Sequence, residues 1–202
     1  MSENMQNTPP RSPLMMNRDD TGLVVIDMQE KLAPLIQDDR LNIWNISRLI
    51  RGCDILNVPV LATEQYPVGL GKTVPSLTVL LQKSKAPSLE KTMFSCRELS
   101  DEFQRMAKQG IQKLIISGIE SHVCVLQSAL DLMGQGFDVF VPIDAIGSRN
   151  TLDHETALCR LEASGATLVS TEMVLFELCE SSDAAEFKQI SQLVKEEIPA
   201  SN

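Results

Sequence analysis

The 202-residue sequence predicts a three-layer α/β/α sandwich around a central, mostly parallel, six-stranded sheet. Three observations carry that expectation. Strand-like and helix-like segments alternate along the chain, the pattern of a parallel sheet covered by helices. The strand-like segments are short and nearly all apolar, as expected of strands buried on both faces. Hydrophobic residues make up 43% of the chain and charged residues 22%, the balance of one globular domain with a substantial core.

The elements follow in order. "GLVVIDM" (Gly22 to Met28) is the first strand, β-branched and unbroken. Leu41, Trp44, Ile46, Leu49, Ile50 and Ile55 give helical spacing to a stretch from about Pro34 to Leu56. "VPVLATE" (Val58 to Glu64) is the second strand, and "QYPVGLGKTVPSL" reads as a loop because proline and glycine crowd it. A brief strand is expected inside "APSLEKTMFSC". "ELSDEFQRMAKQG" is a helix stopped by Gly110, and "IQKLIISG" (Ile111 to Gly118) a strand. A helix starting near Cys124 carries Val123, Leu126, Leu130 and Met133 on its apolar side and ends at Gly134 and Gly136. "FDVFVPID" (Phe137 to Asp144) is a strand, "LDHETALCRLEASG" a helix, "ATLVS" a strand, and Asp183 to Glu197 a final amphipathic helix.

Residues 1–20, polar and broken by prolines, are expected to be a flexible leader without a signal-peptide core; 21–197 is the domain and 198–202 a tail. The formal net charge of −9 repels phosphate backbones and anionic lipid, so neither nucleic acid nor membrane is an expected partner. No apolar run approaches the ~20 residues that span a bilayer. Five scattered cysteines without a CxxC pair point to free thiols in a reducing cytoplasm.

Ligands in such sheets sit at the carboxyl ends of strands, which singles out Asp27, Glu64 to Tyr66, and Gly118 to Cys124. Asp27 finishes an apolar strand, where a carboxylate is costly to bury unless paired; it is either a turn residue or a general base. Lys91, among apolar neighbours in "SLEKTMFS", is either a surface lysine or the partner of that carboxylate. Cys124 begins a helix, where unpaired N–H groups lower a thiol pKa and suit an oxyanion, so it reads as nucleophile more readily than Cys53, Cys96, Cys159 or Cys179. His122 is two residues from Cys124 and does not face it on a helix; it lines the pocket rim, and His154 reads as surface. A papain-like Cys–His mechanism has little to build with.

Three pieces in order, "VVIDMQ", "EKTMFS" and "SGIESHVCV", resemble the isochorismatase-like, or cysteine hydrolase, superfamily, most nearly the isochorismatase-domain-containing proteins, over nearly all of residues 21–197. The resemblance implies a Rossmann-like fold and an Asp–Lys–Cys triad at Asp27, Lys91 and Cys124. It implies that Asp27 accepts the thiol proton, Lys91 holds the carboxylate and thiolate, and Cys124 forms a thioester. It implies a cis peptide at Ile119–Glu120 that turns the Glu120 N–H toward an oxyanion beside the Cys124 N–H. Nicotinamidases of this superfamily carry an Asp-x-His metal motif where this chain has Glu64 and Tyr66; no metal and no cofactor is therefore expected. The presence of Cys124 also leans away from vinyl-ether cleavage, which needs no cysteine.

The implied activity is hydrolysis of an amide or carbamoyl C–N bond in a small molecule. Met28, Gln65, Tyr66, Met93, Phe94 and His122 are the expected pocket, with Arg97 and Arg149 the nearest surface cations. A homo-oligomer, dimer or larger, follows the family habit. The competing reading is a catalytically silent oligomeric scaffold, since fold alone does not establish activity. A thiol redox sensor at Cys124 lacks a resolving cysteine nearby in sequence.

Overall fold

The computed structural model describes residues 9–198. The strands are β1 (Thr21–Ile26), β2 (Val60–Gln65), β3 (Ser88–Lys91), β4 (Lys113–Ile119), β5 (Asp138–Pro142), β6 (Ile146–Gly147) and β7 (Thr167–Val169). They form one sheet in the order β3-β2-β1-β4-β5-β7, with β6 paired beside β4 and every pairing parallel. The extra strand beyond the six expected is β6, whose two residues are too few to make a pattern. Among the described residues the helices are α1 (Asp39–Leu56), α2 (Pro67–Leu70), α3 (Pro75–Lys83), α4 (Ser100–Lys108), α5 (Leu126–Gly134), α6 (Thr151–Ala163), α7 (Thr171–Cys179) and α8 (Phe187–Val194).

Alternation along the strands builds two half-cores. Leu23 and Val25 of β1 join Ile46 and Leu49 of α1, Leu77 of α3, Leu175 of α7 and Ile190 of α8. Val24 and Ile26 point the other way, to Phe103 of α4, Val125 and Ala129 near and on α5, and Leu161 of α6. These are the three layers. No helix of the described residues is long and apolar enough to cross a membrane.

Several local expectations change. The helix expected from Pro34 begins at Asp39, after a single 3-10 turn, because Asp38 stands in the left-handed region at φ 52°. The proline-rich loop after β2 holds α2 and the start of α3; Pro67 and Pro75 occupy first-turn positions, where a missing N–H costs little. Residues 1–8 of the expected leader lie outside the described residues, but the rest of it is held down. Arg11 Nη2 donates to the Glu177 carbonyl at 2.8 Å, the Met16 amide donates to Glu177 Oε2 at 3.0 Å, and the Met16 side chain is in the core.

The chain steps outward from β1 through β2 to β3, then crosses back to β4 on the other side of β1. Ligand sites of open parallel sheets lie at the carboxyl ends of the strands flanking such a reversal. Gly118, at φ 111°, lets β4 lie against β1 at this point: a Cβ there would stand 2.0 Å from the Ile26 carbonyl oxygen.

Candidate active site

The carboxyl ends of β1, β2 and β3 bring three polar side chains together in a dry setting. Asp27 follows β1 at φ 52°, a left-handed turn that aspartate tolerates better than most residues. Its amide donates to the Thr63 carbonyl at 3.1 Å, which keeps the turn registered to β2. The carboxylate is held at both oxygens: Oδ1 accepts from Thr63 Oγ1 at 2.8 Å and Oδ2 from Lys91 Nζ at 2.6 Å. The Asp27 and Lys91 side chains are both 0% exposed. A buried carboxylate and ammonium this close offset each other's desolvation, and removing either would leave the other without its partner.

Lys91 Nζ also donates to Gln65 Oε1 at 2.8 Å and to the carbonyls of Phe94 and Met93 at 3.0 and 3.3 Å. Gln65 is placed by Gln29. The left-handed turn at Asp27 ends the β1 ladder, and the Gln29 side chain stands in for the next rung: Oε1 accepts from the Gln65 amide at 2.8 Å, and Nε2 donates to the Gln65 carbonyl at 3.0 Å. Thr63, Gln29 and the role of Gln65 were invisible in sequence, because they depend on which strands adjoin.

Cys124 comes from the far side of the reversal. The helix expected to start there is preceded by a π-helical turn, Ser121–Val125, and regular α-helix begins at Leu126. Such turns frequently mark functional positions. The amides of Val123 and Val125 donate to the Glu120 carbonyl, which fixes the turn's entry. The Ile119–Glu120 peptide is cis. Cys124 is 6% exposed, and the charges of Asp27 and Lys91 both act on its thiol. Burial first, then the Asp27 charge, push this thiol well above its ordinary range, while Lys91 pulls it down.

The two histidines tie this turn to α6. His122 Nδ1 lies 3.0 Å from Ser148 Oγ, and His154 Nδ1 lies 2.9 Å from Ser121 Oγ. His154 is thus half-buried rather than the surface residue expected, and desolvation lowers its pKa. With a folded pKa below the unfolded one, its contribution to stability is complete above about pH 6.5 and is lost as pH falls through the folded value. His154→Gln should flatten that part of the Tm–pH curve relative to wild type; parallel curves for the two proteins would show that His154 titrates as if exposed.

The expected pocket residues divide. Met28 is a correction: it is 1% exposed, and its side chain belongs to the half-core that also holds Leu49 and Leu77. Gln65 is a second correction, since it is buried with Oε1 on Lys91 and Nε2 on the Thr92 carbonyl at 2.7 Å. Tyr66 and Phe94, 56% and 55% exposed, and Met93 lie at the surface around the Lys91 strand end, and His122 faces Asp153 of α6. An open cleft of about 490 Å³ runs between Met93, Phe94 and Arg97 on one side and Gln127 and Leu130 of α5 on the other. Arg149 Nε pairs with Glu120 Oε1 at 2.7 Å, and Arg97 stands 3.8 Å from Asp131.

The donors do not fit a metal at the Glu64 and Tyr66 positions. Glu64 Oε1 accepts from the Thr73 amide and hydroxyl at 2.7 and 2.9 Å, and Oε2 accepts from Lys72 Nζ at 3.1 Å. The Glu64 carboxylate thus pins the loop after β2. Among the described residues no group of three or more His, Cys, Asp or Glu could hold a metal ion. Sequence distance also hid Cys96, which lies in the same buried cluster as Cys124, its thiol pushed up to about 11 by burial.

An isochorismatase domain matches residues 21–173. Isochorismatase domain-containing protein 2 of Danio rerio is 38% identical over 177 residues, 88% of each chain. Isochorismatase domain-containing protein 1 of the same organism is 37% identical over 87% of this chain, which spans 61% of that longer protein. Among solved structures, the MAR1 ribonuclease of Caenorhabditis elegans superposes with a TM-score of 0.83 at 36% identity, covering 92% of this chain and 95% of that one. The YcaC product of Escherichia coli, described as an octameric hydrolase of unknown specificity, superposes with a TM-score of 0.78 at 26% identity, covering 92% of both.

Proposed function

The chain belongs to the isochorismatase family, and on that premise we propose that it is a metal-independent cysteine hydrolase cleaving an amide or carbamoyl C–N bond of a small molecule. One observation carries the reading: a single buried carboxylate, Asp27, accepts from the Lys91 ammonium at 2.6 Å, and the buried Cys124 thiol lies within the electrostatic reach of both. Such an arrangement sets a nucleophile beside its base.

In the proposed cycle the Cys124 sulfur attacks the substrate carbonyl carbon as its proton passes to Asp27. The backbone N–H groups of Glu120 and Cys124 donate to the oxyanion of the tetrahedral intermediate. As the C–N bond breaks, Asp27 returns the proton to the leaving nitrogen, and a thioester remains. Water then attacks the thioester, Asp27 takes one of its protons, and collapse releases the acid and restores the thiol. The balance needs only substrate and water, so no cofactor enters. Lys91 keeps Asp27 from drifting toward the substrate. The rim of Tyr66, Met93, Phe94 and His122 is the proposed wall of the substrate pocket.

A homo-oligomer is part of the same proposal. Tyr66, Met93 and Phe94, with Val68 at 86% exposure, crowd the edge where the site opens, and such apolar patches mark contact surfaces. The octameric description of the YcaC relative favours a second copy of this chain as the cover. Sedimentation as a monomer at micromolar concentration would count against it. The name ribonuclease given to the C. elegans relative has no electrostatic counterpart here, given the net charge of −9.

The test is ammonia release from a panel of small primary amides and N-carbamoyl compounds. Wild type should release ammonia from at least one, and Cys124→Ser and Asp27→Asn should each lower the rate by about 10³-fold or more. A panel on which wild type does no better than Cys124→Ser would favour the silent scaffold.

A further inference from the structure

The Lys91 ammonium has three N–H groups and four acceptors: Asp27 Oδ2 at 2.6 Å, Gln65 Oε1 at 2.8 Å, the Phe94 carbonyl at 3.0 Å and the Met93 carbonyl at 3.3 Å. With acceptors in excess and the side chain wholly buried, no N–H is left over for a ligand. Two of those acceptors, the main-chain carbonyls, lie on the loop after β3 that also carries the exposed rim. The other side-chain acceptor besides Asp27 is Gln65, and it is the most firmly placed of the set.

Gln65 is fixed at four points. Its amide and carbonyl hydrogen-bond the Gln29 side chain at 2.8 and 3.0 Å, its Nε2 donates to the Thr92 carbonyl at 2.7 Å, and its Oε1 accepts from Lys91. Gln29 is itself anchored by donation to the Gly71 carbonyl at 2.7 Å. A glutamine amide so held has its oxygen committed toward Lys91, because Nε2 must face Thr92. Its oxygen therefore opposes the pull of Asp27 on the ammonium from a fixed point on β2, and sets where Nζ rests relative to Asp27 and Cys124.

From this we infer that Gln65 is a positioning residue of the active site, acting through Lys91, and that Lys91 serves Asp27 and Cys124 without touching substrate. The inference rests on the triad reading above and deepens it. It removes Gln65 from the substrate pocket and leaves the oxyanion to main-chain donors.

The test needs no substrate. The rate of site-resolved alkylation of Cys124 by iodoacetamide is followed from pH 6 to 10, with exposed Cys159 as the internal reference. Lys91 pulls the Cys124 thiol down, so weakening its placement should slow Cys124 across this range while Cys159 keeps its rate. Gln65→Met keeps the length of the side chain and removes the acceptor; the expected result is roughly tenfold slower alkylation of Cys124 at pH 8. Gln65→Asn, which keeps the carboxamide but withdraws it by one methylene, should also slow Cys124, by less than Lys91→Met does. Lys91→Met is the control that separates two failures. If Lys91→Met leaves the Cys124 profile unchanged, the triad reading fails. If Lys91→Met shifts it and Gln65→Met does not, the triad stands and the positioning inference is overturned. Should Gln65→Met not fold, Gln65→Asn decides: a slowed Cys124 profile supports the inference, and one that matches wild type overturns it.

Discussion

Replacing Lys91 by methionine should destabilise the fold by about 3–5 kcal/mol, the usual result of removing one member of a buried ion pair. Methionine fills nearly the same volume, so packing changes little. What changes is that the buried Asp27 carboxyl loses the ammonium on Oδ2 and keeps Thr63 Oγ1 on Oδ1. For a chain of this length the shift corresponds to roughly 6–20 °C in Tm. Alkylation of Cys124 at pH 8 should slow by about tenfold as well, because the cation that offsets burial and the Asp27 charge is gone. The double change Lys91→Met with Asp27→Leu should recover much of the stability and none of the thiol reactivity, since removing both charges leaves no unpaired ion. Calorimetry that finds the single and double variants equally stable would show that the pair contributes nothing net.

Gly118→Ala should be as damaging without touching any catalytic group. The added Cβ would lie 2.0 Å from the Ile26 carbonyl oxygen and 2.6 Å from its nitrogen, and the residue stands at φ 111° where side chains are strained. Both neighbours are main chain in the middle of the sheet, so relief requires β4 to move away from β1. We expect a loss of at least about 3 kcal/mol, at the upper end for overpacking. The displacement falls one residue before Asp27 and on the strand leading to Cys124, so thiol and carboxylate should separate together. A folded Gly118→Ala protein with wild-type Tm and an unchanged Cys124 profile would mean that the contact between β1 and β4 relaxes at no cost. Gly110→Ala, where a Cβ meets nothing within 4 Å, is the control for the positive φ alone.

The central strands were legible because burial on both faces leaves a continuous apolar run, as in "LVVI" and "LIIS". β6 was not, since two residues carry no period. α3 was hidden by the very prolines that open it, and α7 by a tail of sequence in which "TEMVLFELC" has no clear polar face: Val174, Leu175, Leu178 and Cys179 are buried against α1 and α8. At the site, Asp27, Lys91 and Cys124 could be picked out by residue type and motif. Their supports could not. Thr63, Gln29 and Gln65 matter because β2 lies between β1 and β3, and His154 because α6 packs against the π-helical turn. Strand order and helix placement are set by the whole chain, so no local window contains them. Met28, expected in the pocket, follows the left-handed turn at Asp27 and lies in the half-core opposite the one that holds Cys124.

Acylation of the Cys124 sulfur is the central step of the proposed cycle. Incubation of wild-type protein with a small p-nitrophenyl ester, quenching in acid and peptide mapping of the five thiols measures this directly. The predicted result is an acyl group on Cys124, outnumbering that on exposed Cys159 by at least about tenfold and removed by neutral hydroxylamine as a thioester is. Acyl label confined to Cys159 or to lysine side chains, with Cys124 unmodified, would contradict it.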